Sequence, residues 1–482
     1  MAPPLDAVVV GSGPNGLSAA IALARAGASV RVLERHPEPG GGTRTTELTL
    51  PGFRHDVCSG AHPMGVLSPY LRTLPLDAHG LTWRTPEISV AHPLPDRPAV
   101  LLHGTPADTG AELDPEDAEA WAGLVGPFLR RPHRLLADAL GPLGVPRDPI
   151  GLARFGWLGL RSARGLCQSR FRGERARALF AGLAAHAILP LEHPLTAAIG
   201  LLFAVTAHVE PWPVAQGGSY AITEALRSYL VSLGGEIETG VDVRKLSDVP
   251  ESRVVLFDTD PRQLERVAGE ALPTGYRARL GRFRYGPGVF KIDYALDGPI
   301  PWADPRVNRA STVHVGGTLE EICASERAMW RGERPLHPFV LVVQQSELDD
   351  TRAPPGKHTG YAYIHVPPGT DEDHTEALER QIERFAPGFG ARVLARHTMT
   401  AQDFERYNPN WVGGAITGGV SDLFQTFNRP VTRLDPYATP NPRLFLCSAS
   451  TPPGGGVHGM CGFHAARSAL KRLGRPRPVL KT

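Results

Sequence analysis

Three glycines near the start of the chain, Gly11, Gly13 and Gly16, have the Gly-x-Gly-x-x-Gly spacing of a turn that binds a dinucleotide. The first permits a tight turn, the second lets the backbone approach a pyrophosphate, and the third lets a helix pack closely on a strand. Pro14 and Asn15 lie within this spacing and are included in the predicted site, and the N-terminus of the helix that follows offers N–H groups and the positive end of its dipole to phosphates. These residues therefore predict a phosphate-binding turn.

The segments around these glycines have the types that the motif needs. Val8–Val10 is typical of a buried strand, Ser18–Ala26 predicts a helix, and Ser29–Leu33 predicts a second strand. Glu34 ends this strand, where a carboxylate can accept hydrogen bonds from the adenosine ribose, and we include its neighbour Arg35 in the predicted site. This context favours a dinucleotide site over an ordinary tight turn, but it does not separate FAD from NAD.

A second glycine-rich element follows the second predicted strand. Gly41, Gly42 and Thr46 form a Gly-Gly-x-x-x-Thr pattern. It resembles the FAD proteins of the flavin amine oxidase and phytoene desaturase superfamily, in which this loop runs beside the pyrophosphate and the flavin. The resemblance implies that the cofactor is FAD and that these three residues contact it.

Two blocks in the middle of the chain carry the same resemblance. Trp212–Leu246 is similar to the family's Gly-Gly–helix–strand unit, whose last strand, here Gly240–Val243, passes the adenine. This likeness implies an FAD contact at Val243. Arg284–Trp302 is similar to a signature of the phytoene desaturase-like branch, which includes pyridine nucleotide-disulfide oxidoreductase domain-containing protein 2.

The end of the chain, Phe445–Leu470, resembles the C-terminal FAD motif of the superfamily. Its glycines would let backbone lie against an isoalloxazine ring, and a helix predicted over Met460–Leu470 would point its positive end at the flavin. Ser448–Ser450 stands where many amine oxidases have Gly-Asp, which argues against a plain amine oxidase. The FAD contacts implied here are Ser450, Gly455, Gly456, Val457, Gly459 and Met460.

Because these motifs lie at the start, the middle and the end of 482 residues, the FAD-binding part is predicted to be discontinuous. We expect an α/β protein with a Rossmann-type, glutathione reductase-like FAD-binding domain formed by residues 1–75, 212–280 and 432–482. Residues 76–211 and 281–431 would form a mixed α+β substrate domain, a helical insert plus a sheet.

Composition excludes several other classes of protein. The net charge of +2 gives no global attraction to nucleic acid. Five widely spaced cysteines without a Cys-x-x-Cys pair predict neither a disulfide framework nor a metal site. We see no signal peptide or bilayer-spanning segment, so we expect a cytoplasmic protein. Oligomeric state is not predicted.

The segment Arg130–Arg177 contains eleven arginines interleaved with apolar residues. One interpretation is peripheral contact with an anionic membrane, which would suit a lipid-like substrate. The other interpretation is a solvated helical face or a subunit contact. The sequence leaves both open.

Two residues are candidates for catalysis. Lys291 lies among apolar strand residues, and flavin amine oxidases carry a lysine that holds a water at flavin N5; an ion pair with Asp293 is the alternative. His458, within the C-terminal glycine run, is a candidate base or hydrogen-bond donor, although it could also be structural. Tyr407 and Trp411 are expected either to wall the substrate pocket or to lie in the core.

Together these observations predict an FAD-dependent dehydrogenase or desaturase that takes hydride from a C–H bond to flavin N5. The resemblance implies a largely apolar small-molecule substrate and reoxidation by oxygen or a quinone-like acceptor. A redox-neutral flavin-dependent isomerase and a flavin-stabilised scaffold or assembly protein with little turnover are the alternatives. Substrate space beside the flavin would argue against the scaffold.

Overall fold

The computed structural model describes residues 4–480, and its strands form two large sheets. The strands are β1 (Leu5–Val10), β2 (Val30–Glu34), β3 (Thr45–Glu47), β4 (Arg54–Asp56), β5 (Trp83–Arg84), β6 (Ile88–Leu94), β7 (Arg97–His103), β8 (Val214–Ala215), β9 (Glu236–Thr239), β10 (Ser252–Phe257), β11 (Gly288–Leu296), β12 (Ala310–Val315), β13 (Val340–Val343), β14 (His358–Val366), β15 (Val393–Met399) and β16 (Leu444–Leu446).

Helices cover the faces of both sheets. They are α1 (Pro14–Arg25), α2 (Pro63–Val66), α3 (Pro106–Glu112), α4 (Pro115–Val125), α5 (Pro132–Ala139), α6 (Pro149–Gly159), α7 (Ala163–Arg170), α8 (Glu174–Ala185), α9 (Thr196–Val209), α10 (Tyr220–Ser232), α11 (Pro261–Ala268), α12 (Thr274–Leu280), α13 (Leu319–Trp330), α14 (Thr375–Glu383), α15 (Ala401–Tyr407), α16 (Leu423–Asn428) and α17 (Met460–Leu473). Within residues 4–480, no helix is both long and apolar enough to cross a membrane.

The first sheet has the strand order β16–β10–β1–β2–β9, and every pair in it is parallel. Side chains alternate along β1, so Ala7 and Val9 pack with α1, α10 and α17, whereas Val8 and Val10 pack with α11 and α12. Helices therefore cover both faces, as a parallel sheet requires. This arrangement confirms the predicted Rossmann-type fold.

The second sheet is mixed, with the order β15–β11–β14–β13–β12–β6–β7 and a parallel pair only between β6 and β12 among its strands. The helices α4, α7, α8, α9 and α13 share a core with one of its faces, and α14 packs on the other. The sheet confirms the predicted α+β character. Strands β6 and β7 had no sequence prediction, because His92 and Pro93 interrupt the apolar pattern of β6.

All five strands of the first sheet lie within 1–75, 212–280 and 432–482, although the domain boundaries themselves stay a prediction. One predicted strand was misplaced. The strand of the middle block is Glu236–Thr239 instead of Gly240–Val243. Gly240 has a φ of +75°, which ends the extended conformation, so Val243 lies in the loop that follows β9.

The last helix packs directly on the helix of the dinucleotide motif. Gly462 of α17 faces α1 so closely that an added β-carbon would overlap the carbonyl oxygen of Asn15. Gly459, with a φ of +66°, precedes α17 and packs against Ser18 in the same way. These two glycines let the last helix of the chain seat the phosphate-binding helix.

We expect Gly462→Ala to lower the free energy of unfolding by about 1–3 kcal/mol, because the new methyl group must push α17 away from α1. Gly275→Ala in α12 is the matched control: nothing lies within 4 Å of its added β-carbon, so stability should stay equal or rise slightly. Urea unfolding measures both. Equal stability of the two variants would contradict the close packing.

Candidate functional site

A cavity of about 1310 Å³ lies between the Rossmann-type sheet and the second sheet, and both contribute to its lining. Pockets for a single small ligand usually measure about 300–1,000 Å³. This cavity therefore has room for a large cofactor and for a second molecule beside it.

Two glycine-rich turns meet at one end of the cavity. Gly11, with a φ of +102°, makes the turn after β1, and Gly13 precedes α1. Gly41 approaches so closely that its added β-carbon would lie 3.1 Å from the Gly13 Cα. Without side chains here, backbone N–H groups and the N-terminus of α1 face the open space. Such a cradle fits the diphosphate of a dinucleotide.

The buried Glu34 carboxylate ties the first of these turns to the end of β2. Its Oε2 accepts hydrogen bonds from the Ser12 N–H and hydroxyl, at 2.9 and 2.6 Å. Its Oε1 accepts from the His36 N–H at 2.8 Å and lies 3.4 Å from the Arg44 guanidinium. Glu34 thus shapes the turn in addition to facing the predicted ribose position.

Most of the residues predicted to hold FAD line this one cavity. Those that do are Gly11, Gly13, Pro14, Asn15, Glu34, Arg35, Gly41, Gly42, Val243, Ser450, Gly455, Gly456 and Val457. They come from the start, the middle and the end of the chain. Their individual contacts with FAD stay predictions.

Four other predicted residues do not line the cavity. Gly16 packs under the first turn and donates its N–H to Asp258. Thr46 is exposed on β3, because the alternation of the strand turns its side chain to solvent. Gly459 contacts α1, and Met460 is buried in the core beside it. Thr46 and Met460 thus have no side chain in the cavity lining, and their contacts with FAD stay predictions.

Lys291 is buried behind the cavity wall. Its ammonium donates to both Asp293 oxygens, at 2.5 and 2.6 Å, and to the Asp56 carbonyl oxygen at 3.0 Å. An ammonium has three N–H donors, so none remains for a water in the cavity. Its ion pair with Asp293, the alternative expected from the sequence, is present. Tyr361, whose ring centre lies 4.5 Å from the Lys291 nitrogen, lines the cavity in its place.

Lys291 and Asp293 belong to a buried charge cluster with Asp56 and Arg352. The Arg352 guanidinium donates to the Asp56 carboxylate at 2.8 Å, and the Ser219 N–H donates to the other Asp56 oxygen at 2.7 Å. Burial alone would raise the pKa of Asp56, but Arg352 and these hydrogen bonds outweigh it and lower the pKa. The two acids and two bases balance inside the protein.

His458 lines the cavity and is fully buried. The Met460 N–H donates to its Nδ1 at 3.0 Å, so the neutral ring carries its proton on Nε2. Within residues 4–480 this Nε2 has no hydrogen-bond partner. Burial lowers the pKa of His458 to about 4, so the ring is neutral. Because its Nδ1 already accepts the Met460 N–H and its Nε2 carries the proton, the geometry favours the predicted role of hydrogen-bond donor over that of base.

His186 also lines the cavity, at the far side from the glycine turns, and no sequence pattern had pointed to it. Its Nε2 lies 3.0 Å from the Nε2 of the buried His314. Burial lowers the pKa of His186 to about 3, so the ring is neutral. Phe203 and Trp212 pack around it, with ring centres 4.7 and 5.8 Å away.

Tyr407 and Trp411 line the cavity and also pack in a buried apolar cluster, so the prediction that they wall the substrate pocket stays a prediction. Their rings are stacked at 5.9 Å with an angle of 16°. Arg44 lies 5.6 Å from the centre of the Tyr407 ring. The pair therefore belongs to the end of the cavity that contains Glu34 and the glycine turns.

Comparisons with known proteins agree with this geometry. The family described as NAD(P)-binding Rossmann-like domain matches residues 9–73. The mouse pyridine nucleotide-disulfide oxidoreductase domain-containing protein 2 is 30% identical over 98% of this chain and 94% of its own length. The chain belongs to this family. Its members are FAD-dependent oxidoreductases that resemble phytoene desaturases, and this chain is an FAD-dependent oxidoreductase.

Two more distant relatives cover most of the chain. One polypeptide of the limonene dehydrogenase of Castellaniella defragrans is 23% identical over 97% of this chain and 95% of its own length. Phytoene dehydrogenase of Streptomyces griseus is 26% identical over 83% of each chain. The family relationship therefore extends over both sheets and the cavity between them.

We expect Gly41→Ala to weaken FAD binding by about tenfold or more, because the methyl group closes the cradle against Gly13. Gly80→Ala controls for backbone strain: it has a φ of +95° but open space around it, outside the cavity lining. Flavin fluorescence on dilution of the purified holoprotein measures retention. Equal retention by both variants would contradict the assignment of the cradle.

Proposed function

We propose that this enzyme dehydrogenates a largely apolar organic molecule, taking hydride from a C–H bond to N5 of its FAD. The observation that carries the proposal is the part of the cavity beyond the glycine turns, which is walled mainly by apolar side chains. These are Leu140, Leu152, Phe155, Ile188, Ile199, Leu202, Phe203, Leu341 and Val343. Such a wall favours a hydrocarbon-like substrate over a charged one.

The names of the two distant relatives support the same substrate class. Limonene and phytoene, the molecules named in those relatives, are both hydrocarbons. Neither identity is transferred to this chain. What supports the proposal is that an apolar cavity and a family of dehydrogenases acting on apolar molecules occur together.

Bound FAD would supply the acceptor for one hydride, which carries both electrons of the oxidation. The apolar wall excludes water and orients the substrate, while a desaturation also needs a group that accepts a proton. We assign this role to His186, whose Nδ1 has no hydrogen-bond partner among the described residues and whose Nε2 is held by His314. A weakly basic imidazole suffices, because the proton next to a carbon that loses hydride is strongly acidic.

Reoxidation by oxygen or a quinone-like acceptor completes the proposed cycle. A redox-neutral isomerase would use the same cavity without consuming an acceptor. The amount of acceptor consumed per product therefore distinguishes these two functions. A scaffold with little turnover is less well supported, because the cavity provides substrate space beside the glycine turns.

Under anaerobic conditions, we expect a terpene hydrocarbon or a terpene alcohol to bleach the flavin absorbance of the holoprotein. We expect a diamine to leave this absorbance unchanged. Leu202→Asp should slow bleaching about tenfold or more and keep FAD bound, since a charge in the apolar wall disfavours the substrate. Leu394→Asp, at a side chain 46% exposed on β15, is the control. Bleaching by amines alone would contradict the proposed substrate class.

We further propose that the mouth of the cavity rests on a membrane surface. Five apolar side chains line the cavity and are also exposed by about half or more: Leu143, Val145, Leu160, Phe427 and Leu434. Ile150 and Trp157 of α6 extend this apolar rim. Exposed apolar side chains at a cavity mouth suit entry of a lipid-like substrate from a bilayer.

The arginines between residues 130 and 177, for which one interpretation was contact with an anionic membrane, fall into two groups. Among the residues that the structure describes, some pair with a carboxylate and others do not. Arg164, Arg172 and Arg175 pair with glutamates. Arg154 of α6 and Arg161 just after it have no carboxylate partner within residues 4–480 and stand near the apolar rim in sequence. These two supply the positive charge that the membrane proposal needs.

We expect the protein to sediment with vesicles of phosphatidylglycerol and less with neutral vesicles. The triple variant Leu143→Ser, Val145→Ser and Trp157→Ser should lose at least tenfold in binding, since each apolar side chain contributes roughly 1.5–3 kcal/mol when buried. Leu336→Ser with Val479→Ser, two exposed sites outside the rim, is the control. Equal loss in control and triple variant would contradict the proposed contact.

A further inference from the structure

Asp258 follows β10 and places a buried carboxyl group against the N-terminus of α1. It lines the cavity and is 9% exposed. Its Oδ2 accepts the Gly16 N–H at 2.9 Å, and a β-carbon on Gly13 would lie 2.7 Å from the same oxygen. This is the end of the cavity where the helix dipole and the glycine cradle fit a diphosphate.

No lysine or arginine pairs with Asp258 in the part of the chain that the structure describes. The ionisable groups that face it are the Glu34 carboxylate and the thiols of Cys447 and Cys461. Burial raises the pKa of both thiols, so they remain uncharged near neutral pH. Asp258 therefore has an acid and an expected diphosphate as electrostatic neighbours, with only backbone N–H groups in compensation.

The second acid of the same loop has a different environment. Asp260 also lines the cavity, yet its oxygens accept from the Arg262 N–H, the Gln263 amide and the Tyr285 hydroxyl, at 2.9, 2.8 and 2.6 Å. Hydrogen bonds of this kind stabilise the ionised carboxylate. Both Asp260 oxygens therefore have hydrogen-bond donors from within the protein, whereas Asp258 lacks comparable support.

We propose that Asp258 takes up a proton when FAD binds, so that the protein holds FAD more tightly in acid than in alkali. Two negative charges of the diphosphate beside an unpaired, buried carboxylate repel it strongly in this poorly solvated place. The neutral carboxyl group removes the repulsion and still accepts the Gly16 N–H. Asp258 is a positioning residue for the cofactor, and the substrate plays no part in this role.

The sign of the pH dependence follows from the free protein. The pKa of Asp258 is raised to about 7, because burial and, to a smaller extent, the Glu34 charge outweigh the opposing hydrogen bonds from the Gly16 and Gly13 N–H groups. Below that pH the proton is already in place, so FAD affinity should be constant. Above it, each pH unit should weaken FAD binding by about tenfold, since one proton must be bound with each FAD.

The test measures FAD release from the holoprotein on dilution, by the recovery of free flavin fluorescence, from about pH 6 to about pH 9. The dissociation constant should rise about a hundredfold between about pH 7 and about pH 9. Asp258→Asn should give a flat profile at or below the lowest wild-type value, because the amide keeps the acceptor and cannot ionise. Asp260→Asn should retain the wild-type profile.

A second measurement avoids variants altogether. FAD released from the wild-type holoprotein at about pH 8 in a weakly buffered indicator solution should free about one proton per FAD. A flat wild-type profile, an unchanged slope in Asp258→Asn, or release of FAD without protons would each overturn the proposal. These readouts need no substrate, so they succeed or fail independently of the proposed dehydrogenation.

Discussion

The buried charge cluster of Asp56, Lys291, Asp293 and Arg352 is the interaction on which the shape of the cavity depends. It joins the end of β4 and the start of α10, both in the predicted FAD-binding part, to β11 and to the loop before β14. Removing one member of such a cluster leaves an uncompensated charge in the interior, which usually costs about 3–5 kcal/mol. Residues 58–62, which follow Asp56, line the cavity. The position of this part of the cavity wall therefore depends on the balance of charges in the cluster.

Local patterns in the sequence were sufficient to predict the elements that hold FAD. The glycine spacing from Gly11 to Gly16, the strand that ends at Glu34 and the glycine run near His458 each depend on residues close together in the chain. Backbone turns and helix N-termini are formed by residues that are close together in the chain. They therefore produce sequence motifs with a fixed spacing between residues. The dinucleotide-binding turn and the strands beside it could therefore be predicted from spacing, while the FAD cofactor, the discontinuous origin of the sheet and the later lining residues were implied by the resemblance to the superfamily.

The remaining features depend on contacts between residues that are far apart in the chain, and the spacing of residues within a motif does not show such contacts. Lys291 suggested a catalytic lysine, but its three donors are used by Asp293 and by a carbonyl oxygen 235 positions away. The proposed role of His186 depends on its contact with His314, and the proposed role of Asp258 depends on the turn at Gly13. Thr46 is exposed on β3 and does not line the cavity, which the Gly-Gly-x-x-x-Thr spacing alone did not show.

The cavity is lined by both ends of the chain, and this has a consequence for how the protein is made. Gly11 and Gly13 leave the ribosome more than 400 residues before β16, the wall from Ser450 to His458 and the supporting helix α17. Until then, one edge of β10 lacks its neighbouring strand, and such open edges invite association with other chains. Tight capture of FAD therefore requires that β16, the wall from Ser450 to His458 and α17 have been synthesised and packed against β10 and α1.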